Sequence, residues 1–303
     1  MNSYLMLTKR NIKLFFKDKG MVFCSLITPL ILLVLYITFL GNLFKTSFVD
    51  NLGGLNVSDS IINGLAGGQL FSSLLAVSCV TVSFCANMLM VQDKISGARK
   101  DMLMASVKKS KLAMSYYSAT FICTLLICVT ATVACFIYLA VVGWYLSFLD
   151  CLLIFVDVFL LTMFGTALSS LVNFFLNSQG QVSAVGTIVS SMYGFISGAY
   201  MPIASFSPFL QKALLFLPST YGTSLIRNHT MNGALSSLQN SGVPAEVVES
   251  IKDGIDCNLY IGGNKVSIGA MYGIIIGSIV MIVGIYILIN ILKGRKNKKK
   301  IAK

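Results

Sequence analysis

Apolar residues fall in long runs along this chain, at about 21–41, 69–91, 113–142, 151–176, 182–200 and 268–292. Each run is near the ~20 residues a helix needs to cross ~30 Å of hydrocarbon, so six transmembrane helices are predicted. Residues 4–18, YLMLTKRNIKLFFKD, have another period. Lys9, Arg10, Lys13 and Lys17 fall within one arc of a helical wheel, and Leu5, Ile12, Phe15 and Phe16 share another. That pattern predicts an amphipathic helix over 1–20, lying on the membrane surface. Pro29 lies inside the first run and predicts a kink or broken first turns there. The stretch 42–68, with NLGGLNVSDS, reads as an irregular loop, and NSQGQ at 177–181 as a tight link between the fourth and fifth spans.

Several spans carry small or polar stripes at helical spacing. They are Gln69, Ser73, Ala76, Ser83 and Asn87 in the second, and Ser183, Thr187, Ser190, Gly194 and Ser197 in the fifth. Gly269, Gly273, Gly277 and Gly284 form a ridge in the sixth. Small residues let helix backbones approach where lipid supplies no hydrophobic drive. The alternative for the second and fifth spans is a polar path lined by Ser73, Ser83, Asn87, Ser183, Thr187 and Ser190.

Composition supports the membrane reading. The 303 residues are 56% hydrophobic and 11% charged, against about 25% charged in soluble domains; mean hydropathy is +0.81. The expectation is an all-α integral membrane protein forming one domain over 1–303. The first span is too long for a signal-peptide core and no small-x-small site follows, so it reads as retained.

Charge orients the spans. Eighteen of the 23 Lys and Arg residues lie before the first span, in the loop at 92–112 or in the tail at 293–303. The positive-inside rule then places both termini in the cytoplasm of a plasma-membrane protein. The net charge of +12 is accounted for by that face meeting anionic lipid, so the bilayer is the expected partner and nucleic acid is not.

Motifs for chemistry are sparse. Six of the eight cysteines fall inside spans; a Cys151–Cys257 disulfide is left open. His229 is the single histidine, which disfavours a His-based metal site or triad. No GxxxxGK[ST], HExxH, Arg-rich span or TVGYG filter occurs. Asp157 lies about two turns into the fourth span, and an intramembrane carboxylate is a functional candidate by default. No internal repeat is visible, which disfavours repeat-built secondary transporters.

Two segments remain. VQDKISGARKDMLMASVKKSKLAMSYY, residues 91–117, is interrupted at Gly97 and then reads as a short helix with Met102, Leu103 and Val107 projecting from one side. GAYMPIASFSPFLQKALLFLPSTYGTSLIR, residues 198–227, is largely apolar yet holds three of the five prolines, Pro202, Pro208 and Pro218. Each removes a backbone donor and pushes the preceding residue away from helix.

With the basic entry LTKRNIKLFFKDKGMVFCSLITPLILLVLY, these segments give the whole chain a resemblance to the membrane subunit of ABC-2 type ABC transporters. The loop is similar to that family's D-x-x-x-G-x-x-x-x-L-x-x-S/T-P, with Asp93, Gly97 and Ser106 in place and Val107 where a proline is common. The later stretch is similar to G-x-x-x-P … L-P-x-x-Y-x-x-x-x-x-R, with Gly198, Pro202, Pro218, Tyr221 and Arg227 in place. The resemblance implies a permease that is not itself an enzyme and carries no cofactor. ATP and magnesium would sit on a separate ATPase subunit, docked at Asp93, Lys94, Gly97, Arg99, Met102, Leu103 and Ser106. A second permease subunit, identical or related, would complete the path. The chain between the fifth and sixth spans would re-enter the membrane as a hairpin cornered at Pro202, Pro208 and Pro218, and form a gate with Gly198, Tyr221 and Arg227. The substrate would be amphipathic or lipid-linked: a drug, peptide, glycolipid or polysaccharide. The rival readings are an ATP-independent channel or secondary transporter, which needs paired intramembrane charges, and a membrane scaffold.

Overall fold

A computed structural model describes the backbone of residues 3–301 except 54, 56 and 106, and the side chains of those residues except 37 and 293–301. It is a helical bundle with one two-stranded hairpin. Helix α1 (Ser3–Lys17) is followed at once by α2 (Lys19–Leu35), and Asp18 between them caps α2 by accepting the Met21 amide at 3.1 Å. Pro29 is accommodated within α2. A π-turn at Tyr36–Leu40 carries the helix on into α3 (Gly41–Asn51). Then come α4 (Asp59–Ala86), α5 (Met88–Ile95), α6 (Ala98–Met104), α7 (Lys109–Val142) and α8 (Phe148–Phe175). The expected irregular loop at 42–68 is therefore mostly helix, because Phe48 and Leu52 pack on Ile61, Ile62 and Leu65.

Among the described residues, five helical stretches are long and apolar enough to cross a membrane: Lys19–Asn51, Asp59–Ile95, Lys109–Val142, Phe148–Phe175 and Ile268–Leu292. The expected fifth span folds as α9 (Gln179–Ile196), which is not among them. Two glutamines and four Ser/Thr residues dilute its apolar content.

Helix α4 is the axis of the bundle. It is buried on nearly every side, and α2, α7, α8, α9 and α11 (Pro218–Asn240) pack around it. Its serines, alanines and glycines make this crowding feasible. At the α8 crossing, a Cβ on Gly165 would lie 2.7 Å from the Cys79 carbonyl oxygen and 2.9 Å from Val80 Cα, so only glycine allows that approach.

The prolines act as helix starters. Pro208 opens α10 (Pro208–Leu215) and Pro218 opens α11, each preceded by an extended residue. The region 201–267, expected as a re-entrant segment and outer loop, is thus largely ordered. Helix α11 is about 35 Å long by its rise per residue and buried along most of its length despite its polar composition. Helix α12 (Ala245–Gly254) and the hairpin β1 (Tyr260–Ile261) and β2 (Asn264–Lys265) follow, then α13 (Ile268–Ile301). With α3 and the adjoining ends of α4 and α11, α12 encloses a separate apolar cluster that caps the bundle at the end opposite the basic one. The glycine ridge of α13 faces away from the bundle, with nothing within 4 Å of its Cβ positions.

Candidate functional site

At the basic end, α1, α5 and α7 are joined by one carboxylate. The Arg10 guanidinium grips buried Asp93 through two hydrogen bonds of 2.5 and 3.0 Å, and the Tyr116 hydroxyl donates to the same carboxylate at 2.6 Å. Asp93 in turn holds the Arg10 pKa above its ordinary value. Lys94 Nζ donates to the carbonyls of Phe174 and Leu176 at 3.1 and 2.6 Å, clamping the C-terminus of α8. Gly97 takes a left-handed φ of 88° and caps α6. Such a φ costs about 1–2 kcal/mol in other residues.

Short α6 does not present the face expected of it. Met102, Leu103 and Val107 turn toward the cluster of Met90, Leu112, Tyr116 and Tyr286. Lys100, Asp101 and Met104 face outward, Met104 with 76% of its surface open, and Ile95 of α5 joins them. Arg99 is half-buried, and Ser106 lies outside the described residues. Tyr116, Ile95 and Met104 were not singled out from the sequence, and Arg10 was legible only as part of a basic arc, because spacing within the loop says nothing of which face α7 and α13 will cover.

A groove of about 890 Å³ runs between α2–α3 and α9, with α4 as its floor. Leu32, Tyr36, Phe44, Leu70 and Phe195 give it apolar walls, and none of its lining residues is charged. Ser73, Ser183, Thr187 and Ser190 line it. Ser83 and Asn87 do not. They face α8, where Asn87 donates to Ser169 and Ser170 at 3.1 and 2.9 Å and Ser83 meets Thr166 at 3.4 Å. In their case the polar stripe joins two helices within the chain. The Thr187 hydroxyl donates to the Ser183 carbonyl at 3.0 Å, so it offers the groove only lone pairs.

The turn after α9 roofs one end of the groove through Ala199 and Tyr200. Ser73 donates to the Ala199 carbonyl at 2.6 Å. Gly198 takes φ 70°, and Pro202 leads into a 3-10 turn at Ile203–Ser205. Tyr221 fastens α11 to α10 through a 2.6 Å bond to the Leu215 carbonyl. Arg227 is fully buried and donates to the carbonyls of Gly198 at 2.9 Å and Ile255 at 2.5 Å. Asp256 lies 3.6 Å from it, and the pair joins the turn to the cap. Burial lowers the Arg227 pKa, with Asp256 opposing. Burial raises the Asp256 carboxyl to about 6, while Arg227 and the amides of Ile203 and Ala204 pull it back.

Asp157 is fully buried and meets His229 Nδ1 at 2.6 Å while accepting the Tyr272 hydroxyl at 2.6 Å. The imidazole stacks on the Tyr272 ring. This carboxylate joins α8, α11 and α13 and is absent from the groove lining. Cys151 and Cys257 are free thiols. No cluster of three or more metal-ligating side chains occurs among the described residues.

Buried polar crossings around α4, an uncharged lateral groove and five span-length helices among the described residues define a multi-pass α-helical membrane protein. The model of the family described as ABC-2 type transporter matches residues 2–230. The chain belongs to that family, whose members are the membrane components of transporters. No curated protein and no solved structure matches it.

Proposed function

We propose that the chain is the permease subunit of an ATP-driven exporter in the plasma membrane, with both termini cytoplasmic. In this reading α9 is a short sixth span, α1 lies on the inner membrane surface, and residues 197–217 re-enter the membrane from outside. The groove supports the reading most directly. It is walled by α2, α3 and α9 but open on one side, as expected of half a path that a second permease subunit completes. Its uncharged walls suit an amphipathic or lipid-linked substrate.

Drive would come from a separate ATPase chain carrying ATP and magnesium. Its docking surface would be the α5–α6 corner, with Lys100, Asp101, Met104 and Ile95 outermost. A push on α6 has a stiff route inward, since α5 is nearly continuous with α4, the groove floor. Arg10 of α1 is fastened to α5 at Asp93 and would move with it. The nucleotide shifts the equilibrium only through its different affinity for the two states of the complex.

Affinity purification of the tagged protein from its own host in mild detergent tests this reading, with mass spectrometry of the co-purifying chains and an ATP hydrolysis assay. A stoichiometric ATP-binding cassette subunit with vanadate-sensitive activity is expected. Recovery of the chain alone across several detergents would turn the assignment to a channel or scaffold.

A further inference from the structure

Asp256 is the one non-glycine residue with a positive φ, 56°, among those described. Asp is among the few side chains that tolerate this backbone, and such residues concentrate where the surroundings over-determine them. Here they do. The preceding carbonyl, of Ile255, accepts from Arg227. The following one, of Cys257, accepts from Ser224 at 3.1 Å and Asn228 at 2.7 Å. The Asp256 side chain itself reaches across to the 3-10 turn, where Oδ2 accepts the Ile203 amide at 2.8 Å. Arg227 holds the other end of the same turn at the Gly198 carbonyl.

Both ends of the roof over the groove are thus held by a buried ion pair, one by Arg227 of α11 and one by Asp256 of the cap, and Arg227 is itself tied to the cap at the Ile255 carbonyl. Lifting the roof alone would strip Arg227 and Asp256 of these bonds while both stay buried, and an orphaned buried charge-bearing donor is costly. Moving the roof and the cap together with α11, which carries Arg227, Ser224 and Asn228, leaves every one of these bonds intact. We propose that Asp256 and Arg227 form a latch that makes the outer cap part of the gate, so that the cap shifts whenever the groove opens outward. The inference rests on the outward-opening path proposed above. Asp256 lies beyond the residues matched by the family model, and within the latch it is a positioning residue, setting where residues 198–203 sit.

Cys257 supplies a native reporter. It is 2% exposed and free, and burial raises its thiol pKa to about 12, so it should react slowly while the cap is seated. A membrane-impermeant maleimide would be applied to membranes holding the chain with its ATPase, and Cys257 would be read by peptide mass spectrometry, apart from half-exposed Cys151. Labelling at Cys257 is expected to rise about tenfold or more when the ATPase is trapped with vanadate. Asp256→Ala is expected to label fast even at rest. Asp256→Asn should stay slow, because Asn also tolerates this backbone and still accepts the Ile203 amide. Arg227→Lys, which keeps the charge but whose one nitrogen cannot stand at both positions from which Nη1 and Nη2 reach Ile255 and Gly198, should label fast.

Equal labelling of trapped and resting wild type, with transport proceeding, would overturn the latch, as would Asp256→Ala labelling at the wild-type rate. Failure of the transport reading would look different, since no ATPase would co-purify. The comparison of Asp256→Ala with wild type in detergent, at matched elution as a folded species, would still test the tie.

Discussion

Replacing Asp93 by Ala should loosen the fastening of α1 to α5 by an amount that the geometry bounds. The carboxylate is 6% exposed and serves three short hydrogen bonds, two from Arg10 and one from Tyr116. Removing one member of a fully buried pair costs about 3–5 kcal/mol, while exposed pairs contribute about 0–1 kcal/mol. The Arg10 side chain is 34% exposed, so water recovers much of its share, leaving about 1–1.5 kcal/mol for the ion pair. Orphaning the Tyr116 hydroxyl adds about 1–2 kcal/mol. The sum, about 2–3.5 kcal/mol, should lower the apparent melting temperature in detergent by roughly 5–10 °C for a chain of this size. Asp93→Asn keeps an acceptor for Tyr116 and should lose about half as much. A double-mutant cycle of Arg10→Ala with Asp93→Ala should return a coupling of about 1 kcal/mol or more. Additive losses, or an Asp93→Ala melt within 1–2 °C of wild type, on the order of the error expected for distant sites, would show that the contact fastens nothing.

Three further outcomes follow from the same geometry. Met104→Asp should abolish co-purification of an ATPase with no change in melting temperature, whereas Met102→Asp, at a half-buried position packed on the Met90 and Tyr286 cluster, should destabilise the fold by about 1 kcal/mol by partly desolvating a charge; the reverse ranking would mean that α6 is turned over. Thr187→Phe should obstruct the groove and stop transport while leaving ATPase recruitment unchanged, and full transport by this variant would remove the groove from the path. The Asp256 carboxyl, raised from 3.8 to about 6, binds its proton more tightly in the fold than in the unfolded chain. Its stabilising contribution is therefore present in acid and lost as pH rises through about 6. Melting temperature should rise between pH 7 and pH 5 by the equivalent of at most about 1.3 kcal/mol, and Asp256→Asn should flatten that rise.

Hydropathy and charge determined much from the sequence. Five of the six predicted spans, 21–41, 69–91, 113–142, 151–176 and 268–292, fall within or closely along span-length helices, because a run of apolar residues has few ways to satisfy its backbone other than helix. Asp93, Gly97, Pro202, Pro218 and Arg227 were legible as family motif positions, and Asp157 as a carboxylate out of place. What the sequence could not carry was partnership. Ser83 and Asn87 look like Ser73 in the one-dimensional stripe, yet a rotation of about 100° per residue puts them on α8 and Ser73 on the groove. Met102 and Met104 differ by two residues, and only the packing of α7 and α13 decides which is covered. The polar helix α11 reads as loop because its apolar content is low; it is held inside by α4, α8 and α13, with His229 answering Asp157 from 72 residues away and Arg227 reaching two carbonyls and a carboxylate from other segments. Local propensity is written residue by residue, but the burial of a polar group is decided by whether a distant partner arrives to satisfy it, and only the tertiary structure supplies that partner.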